Sequence, residues 1–183
     1  MSRLPIPVSI ETSLAASQPL LQAVQKQVGS VPNLFRLIGT SPAALEGYLG
    51  LHGALGKGTL DARTRERIAL AIAEINGCGY CLSAHTFFGK NLAKLTDTEI
   101  AANRAGGSED PKADAAVRFA ARVATAHGHV SDEDINAVRQ AGYSDAQLLE
   151  IVLNVALNVL TNYVNEVART EIDFPVVTVK AAA

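Results

Sequence analysis

Tryptophan is absent from this chain of 183 residues, methionine occurs once and cysteine twice. Two cysteines exclude a fold stapled by several disulfides. A core at this length is large enough to be stable without them. Aromatic residues make up only 5% of the sequence. Ala, Leu, Val and short polar residues stand in their place, which suits close helix packing better than strands. Charge of one sign is not in excess either. The formal net charge is −2, and Lys and Arg form no stripe, so nucleic acid is excluded as the expected partner. Long apolar runs are missing. Met1 to Ile10 is short and broken by Pro5 and Pro7, unlike a signal peptide. Leu148 to Leu160 carries Glu150, Asn154 and Asn158, and is too short and polar to span a bilayer. A cytoplasmic protein without membrane contact is expected. The G-x-G patterns, Gly56-Lys57-Gly58 and Gly77-Cys78-Gly79, lack a strand–turn–helix setting, so no flavin or nicotinamide cofactor is expected.

What is present reads as helices from end to end. Residues 1–10 form an extended arm. Ser13 to Val28 predicts a first helix stopped by Gly29, and Val31-Pro32-Asn33 starts a short one to about Ile38. Ser41-Pro42, an N-cap followed by proline, opens a helix to about Leu55. Asp61 caps Ala62 to Ile75, which Asn76-Gly77 ends. The next helix begins near Cys78 and reaches about Leu92. Thr96 opens another, Asp110-Pro111 starts one to about Ala126, and Ser131 to Asp134 resembles a capping box. Ser144 caps a last helix to about Arg169, and Val176 to Ala183 is a tail. The expectation is a single all-α domain over residues 1–183, a compact bundle of many helices.

The chemistry concentrates in the run Glu74 to His85, which holds both cysteines as Cys78-x-x-Cys81, with His85 four residues on. On one helix Cys78, Cys81 and His85 point within roughly 60° of each other. The positive end of the helix dipole favours thiolate, and such settings lower a thiol from about 8.5 to roughly 3.5–7.5. Thiolate attacks peroxide to give sulfenic acid, and a neighbouring thiol condenses with it to a disulfide. That cycle needs a nucleophile, a resolving cysteine and a proton acceptor, and all three types are here. Two other readings compete. Structural zinc takes four ligands, and the chain offers two cysteines with His52, His85, His127 and His129. Alternatively, the cysteines are small buried hydrophobes. Proton relay asks for a carboxylate beside His85. Glu74 is nearer in sequence. If Asn76-Gly77 folds two helices back on each other, however, His85 lies about 12 Å past the turn and Glu66 about 15 Å before it, so those two would meet.

Glu66, eleven intervening residues, then Cys78-x-x-Cys81-x-x-x-His85 resembles the signature of the alkylhydroperoxidase D-like branch of the carboxymuconolactone decarboxylase family. Val31 to Phe35, Ser41-Pro42, Leu95 to Asp97, Val130 to Glu133, and the stretch from Thr161-Asn162-Tyr163 to Asp173-Phe174-Pro175 resemble its peroxidase-related members. The resemblance implies an all-helical fold assembled as homotrimers or homohexamers, and a thiol-dependent hydroperoxide reductase without a bound cofactor or metal, cycling through a Cys78–Cys81 disulfide. In that reading Cys81 attacks, Cys78 resolves, and His85 and Glu66 relay protons. A protein or small thiol supplies the electrons. Tyr80 replaces the histidine that the best-known members carry before the second cysteine. Some relatives are instead dithiol adaptors that pass electrons to a partner such as a peroxiredoxin.

Three further features stand outside that motif. Asn154, Asn158, Asn162 and Asn165 form one stripe on the last helix, which predicts hydrogen bonds to another helix or subunit, with a place in the active site as the alternative. His127-Gly128-His129 reads as a solvated turn, and His52 as a packing residue.

Overall fold

The computed structural model describes residues 2–180 and holds nine α-helices and no strand among them. A single 3₁₀ turn, Ala15–Ser17, leads into α1, Gln18–Val28. Helix α1 starts later than the sequence suggested because Pro19 takes its second position, where no backbone donor is needed. Gly29 ends it with φ of +87°. There follow α2 (Asn33–Ile38), α3 (Pro42–Leu55), α4 (Ala62–Ile75), α5 (Gly79–Asn91) and α6 (Asp97–Arg104). The last three are α7 (Pro111–Thr125), α8 (Asp132–Gln140) and α9 (Asp145–Ala168). The caps are those expected from side chains that accept orphan N–H groups. Ser41, Asp61, Thr96 and Asp110 accept backbone donors at their helix starts, and Ser131 and Ser144 each close a capping box.

Helix α4 is the axis of the molecule and packs on α5, α6, α7 and α9. It has apolar residues all round, as a helix enclosed by others must. Ile68, Ala71 and Ile72 join one core with α7, α8 and α9 residues such as Val117, Val138 and Ile151. Leu70 and Ala73 join a second core with Leu21, Leu45, Leu82 and both cysteines. Glu66 precedes Leu70 and Ala73 by four and seven residues, so it shares their side and looks toward α5. The loop before α4 is tied to α9 by Glu150, whose carboxylate accepts from the backbone N–H of Thr59 (3.0 Å) and Leu60 (2.6 Å). Gly58 lets that carboxylate approach, since a Cβ there would lie 2.7 Å from it.

Helix α9 spans 24 residues, longer than its most apolar stretch implied, and it alone among the described helices would pass as a membrane span by length and composition. In this fold its asparagine-bearing side is buried. The opposite side is an exposed apolar stripe of Leu149, Leu153, Leu160, Tyr163 and Val167.

The residues after α9 turn back over α5. Tyr80 Oη accepts from Leu34 N–H (3.1 Å) and donates to Asp173 Oδ1 (2.8 Å). Phe174 packs edge-on against Tyr80 and beside Phe87 and Phe88. Val177 N–H donates to Ser83 Oγ at 3.0 Å, and Lys180 N–H donates to Glu74. The predicted tail is therefore a strap over the cysteine helix as far as residue 180, while its last three residues lie outside the described residues. Tyr80→Phe deletes the hydroxyl that joins α2, α5 and the strap and leaves a buried N–H unpaired. A loss of about 1–3 kcal/mol is expected from the denaturant midpoint at unchanged slope.

Candidate active site

The site is built where α4 turns into α5. Asn76 ends α4 and Gly77, with φ of +67°, makes the reversal that only glycine adopts without strain. Cys78 N–H then closes the turn on Ala73 O at 2.9 Å. Cys78 is the N-cap of α5 and its sulfur accepts from Cys81 N–H at 3.4 Å. Cys81 sits in the first turn and His85 one turn on, so the thiol feels both the helix N-terminus and the imidazole. Both cysteines are unbridged and buried, at 0% and 2% exposure, so only a small reactant meets these sulfurs in this arrangement.

The hairpin brings Glu66 to His85: Nδ1 and Oε1 are 2.8 Å apart. The carboxylate fixes the ring and leaves Nε2 as the working nitrogen. Gly89, one turn beyond His85, lies beside the Glu66 stem. Glu74 goes elsewhere. It binds Arg104 Nε at 2.6 Å and takes no part in the His85 pair. Tyr48 on α3 makes an aromatic wall with Phe35 and His52. Burial, then the charges of Cys81 and Glu66, push the Tyr48 hydroxyl up, and its side chain packs against the core that holds both cysteines.

The two thiols are driven apart. Cys81 is lowered to about 6, first by a hydrogen bond from Cys78, against burial, and then by the charge of His85 and the amides of Asn165 and Asn162. Cys78 is pushed far up, first by that same hydrogen bond, then by burial and the charge of Cys81. The protonated thiol thus serves as donor and the thiolate as acceptor. Burial opposes charging His85, but the charge and hydrogen bond of Glu66, with Cys81, raise it above its usual value. A thiolate, a neighbouring thiol and an imidazole held by a carboxylate can pass a proton and form a disulfide.

All four residues singled out in sequence, Glu66, Cys78, Cys81 and His85, are adjacent. The asparagine stripe divides. Asn154 and Asn158 bond back to carbonyls of their own helix, at 2.7 and 2.8 Å. Asn162 Oδ1 accepts from Asn76 Nδ2 at 2.8 Å, and Asn165 Nδ2 donates to Cys81 Sγ at 3.2 Å. The stripe faces the interior: Asn162 makes the expected bond to another helix, at the end of α4, and Asn165 touches Cys81. His52 stacks on Tyr48 yet is exposed, so it packs on one side only. His127 and His129 flank an exposed turn. No three His, Cys, Asp or Glu side chains gather to hold a metal among the described residues.

Residues 42–126, from the start of α3 to the end of α7, match the carboxymuconolactone decarboxylase family. A peroxidase-related protein of Ralstonia eutropha JMP134 with an alkylhydroperoxidase AhpD core superposes with a TM-score of 0.83 and 27% identity, over 94% of this chain and 92% of that one. A peroxidase-related protein of Silicibacter sp. TM1040 gives 0.80 and 22% over 93% and 91%. The debrominase Bmp8, in complex with 2,3,4-tribromopyrrole, gives 0.79 and 19% over 94% and 93%. At that identity its likeness bears on fold alone. An uncharacterised protein of Haemophilus influenzae is 49% identical over 45 residues, which span 24% of this chain and 40% of that relative's length.

Proposed function

We propose, for a chain that belongs to the alkylhydroperoxidase D-like branch of the carboxymuconolactone decarboxylase family, that it reduces hydroperoxides through Cys78 and Cys81. The observation that carries this reading is the placing of the two cysteines at the start of α5, where Cys81 Sγ accepts from Asn165 at 3.2 Å and Cys78 Sγ from Cys81 N–H at 3.4 Å, beside His85 held by Glu66 at 2.8 Å. Cys81 thiolate attacks the outer peroxide oxygen. The S–O bond forms, the O–O bond breaks, and His85 delivers a proton to the departing alkoxide. Sulfur loses two electrons and the peroxide gains them. Cys78 thiol then displaces hydroxide from the sulfenic acid, its proton leaves with the hydroxide as water, and the disulfide forms. An external thiol restores the dithiol.

A dithiol adaptor is the competing reading. Burial of both sulfurs favours a small oxidant over a protein disulfide as the first reactant. Stopped-flow mixing separates the two. A hydroperoxide reductase loses its free thiols to a small hydroperoxide faster than to a protein disulfide at equal concentration. Rapid exchange with the protein disulfide and inertness to peroxide would establish the adaptor.

Thiolate is the reactive form, so the sign of the pH dependence follows. The oxidation rate is expected to rise as pH increases through about 6, and to fall again at higher pH as His85, raised above its usual value, loses the proton it delivers to the alkoxide. A rising limb centred near the ordinary thiol value would contradict the assignment of Cys81.

Assembly into homotrimers or homohexamers belongs to the same proposal. The exposed stripe on α9 borders a groove of about 350 Å³ lined by Ile75, Val123, Val152, Ala156, Val159 and Tyr163. Contiguous apolar surface of this kind marks association. Light scattering at micromolar concentration should give a multiple of three times 19.2 kDa; a monomer mass defeats the expectation.

A further inference from the structure

One buried amide touches the sulfur that the proposed reaction uses, and a second lies one turn before it on the same side of α9. Asn162 and Asn165 lie three residues apart on α9, on one side, at 0% and 2% exposure. Asn165 Nδ2 donates to Cys81 Sγ at 3.2 Å, while its Oδ1 is buried without a partner. Asn162 is oriented by Asn76, whose Nδ2 donates to Asn162 Oδ1 at 2.8 Å. That bond turns the Asn162 NH₂ group away from Asn76, and this nitrogen too is buried with no partner. Native interiors rarely leave such atoms unpaired, and two of them beside one reactive sulfur call for a physical reason.

The reason is that the sulfur changes its needs during turnover. As thiolate it accepts hydrogen bonds only, and neutral amide N–H groups stabilise the anion without adding a second charge. Once it carries oxygen, the sulfenic acid presents a hydroxyl donor and a new acceptor. An acceptor, Asn165 Oδ1, stands unpaired on the amide that touches the sulfur, and a donor, Asn162 Nδ2, stands unpaired on the same side of α9. We infer that Asn162 and Asn165 form an amide cradle that holds Cys81 as the attacking thiolate and then receives the oxygen that a hydroperoxide leaves on it. Asn76 is the positioning residue of this cradle, because it sits at the turn between α4 and α5 and fixes the Asn162 amide. The cradle rests on the hydroperoxide reading for its second half and on geometry alone for its first. Preorganised donors of this type do not have to reorient when charge appears. The cradle also explains which cysteine attacks: Cys78 accepts only the weak backbone bond from Cys81, and no α9 amide donates to it.

The test is a thiolate titration, read from the far-ultraviolet absorbance of the sulfur anion, which needs no peroxide. Asn165→Leu is expected to raise the Cys81 midpoint by about one unit, roughly a fivefold loss of thiolate at pH 6. Asn162→Ala should act in the same direction and more weakly. Asn165→Asp should raise the midpoint most, because a carboxylate repels the thiolate. Asn158→Ala, one turn back on the same side, should leave it in place. In a Cys78→Ser background, Asn165→Leu should also lower the yield of sulfenic acid trapped by dimedone after one equivalent of ethyl hydroperoxide. If Asn165→Leu does not fold, Asn165→Ser carries the same expectation. Unshifted midpoints in folded Asn165 and Asn162 variants overturn the cradle even if the protein consumes peroxide. A shifted midpoint in a protein inert to peroxide keeps the thiolate half of the cradle and removes the hydroperoxide reading.

Discussion

Cys81→Ser protein consumes no hydroperoxide, while Cys78→Ser protein consumes one equivalent and stops. The two serines are nearly isosteric, so the fold tolerates both, and the outcomes differ because the two sulfurs do different work. Serine at 81 removes the only thiol lowered into the neutral range. A hydroxyl does not ionise at this pH and does not form a sulfenic acid, so turnover falls to background. Serine at 78 removes the resolving thiol but leaves Cys81 beside His85, Asn162 and Asn165. Its stalled product is a sulfenic acid on Cys81 that dimedone traps and mass spectrometry locates. Dimedone adducts on Cys78 in Cys81→Ser protein, with turnover intact, would exchange the two roles.

His85→Ala slows oxidation at neutral pH by about 10²–10⁴-fold, the usual contribution of a general acid or base. Two effects combine. The leaving alkoxide loses its proton donor, and the thiolate loses the imidazolium charge that holds its value down. Glu66→Gln acts in the same direction and less strongly, because the amide still orients the ring but no longer stabilises its charge. Glu74→Gln leaves the rate unchanged, since that carboxylate is engaged by Arg104 and the strap. Raising the pH partly rescues the first two variants by restoring thiolate. Wild-type rates for Glu66→Gln across pH 6 to 9 would make Glu66 a plain helix charge.

The helices and the four proposed reacting residues were legible in the sequence for local reasons. Caps such as Ser41-Pro42, Asp61 and Ser131 act within one turn, and so do the Asn76-Gly77 reversal and the Cys81–His85 spacing. Glu66 required one step of tertiary geometry, the folding back of α4 on α5, and similar distances from the turn supplied it. What stayed hidden depends on contacts between distant segments. No periodicity in Asp173-Phe174-Pro175 announces that these residues cross α5 and bond Tyr80. The asparagines announced a polar side of α9, but spacing alone does not tell Asn158, bonded to its own helix, from Asn165, bonded to a sulfur 84 residues away. The signal was there in their burial: four amides among Ile151, Val155 and Leu157 must each find a partner, and the reactive thiol is one.

The central claim is that a hydroperoxide oxidises this protein at Cys81 and that Cys78 closes the disulfide. Rapid-quench mixing of reduced protein with one equivalent of a small alkyl hydroperoxide, ethyl hydroperoxide, at pH 7, followed by differential alkylation and mass spectrometry, tests it most directly. The account predicts one Cys78–Cys81 disulfide and one alcohol per peroxide consumed, preceded by a transient sulfenic acid on Cys81. Free thiols at both positions after the peroxide is gone, or thiols untouched by it between pH 6 and 9, would contradict the account.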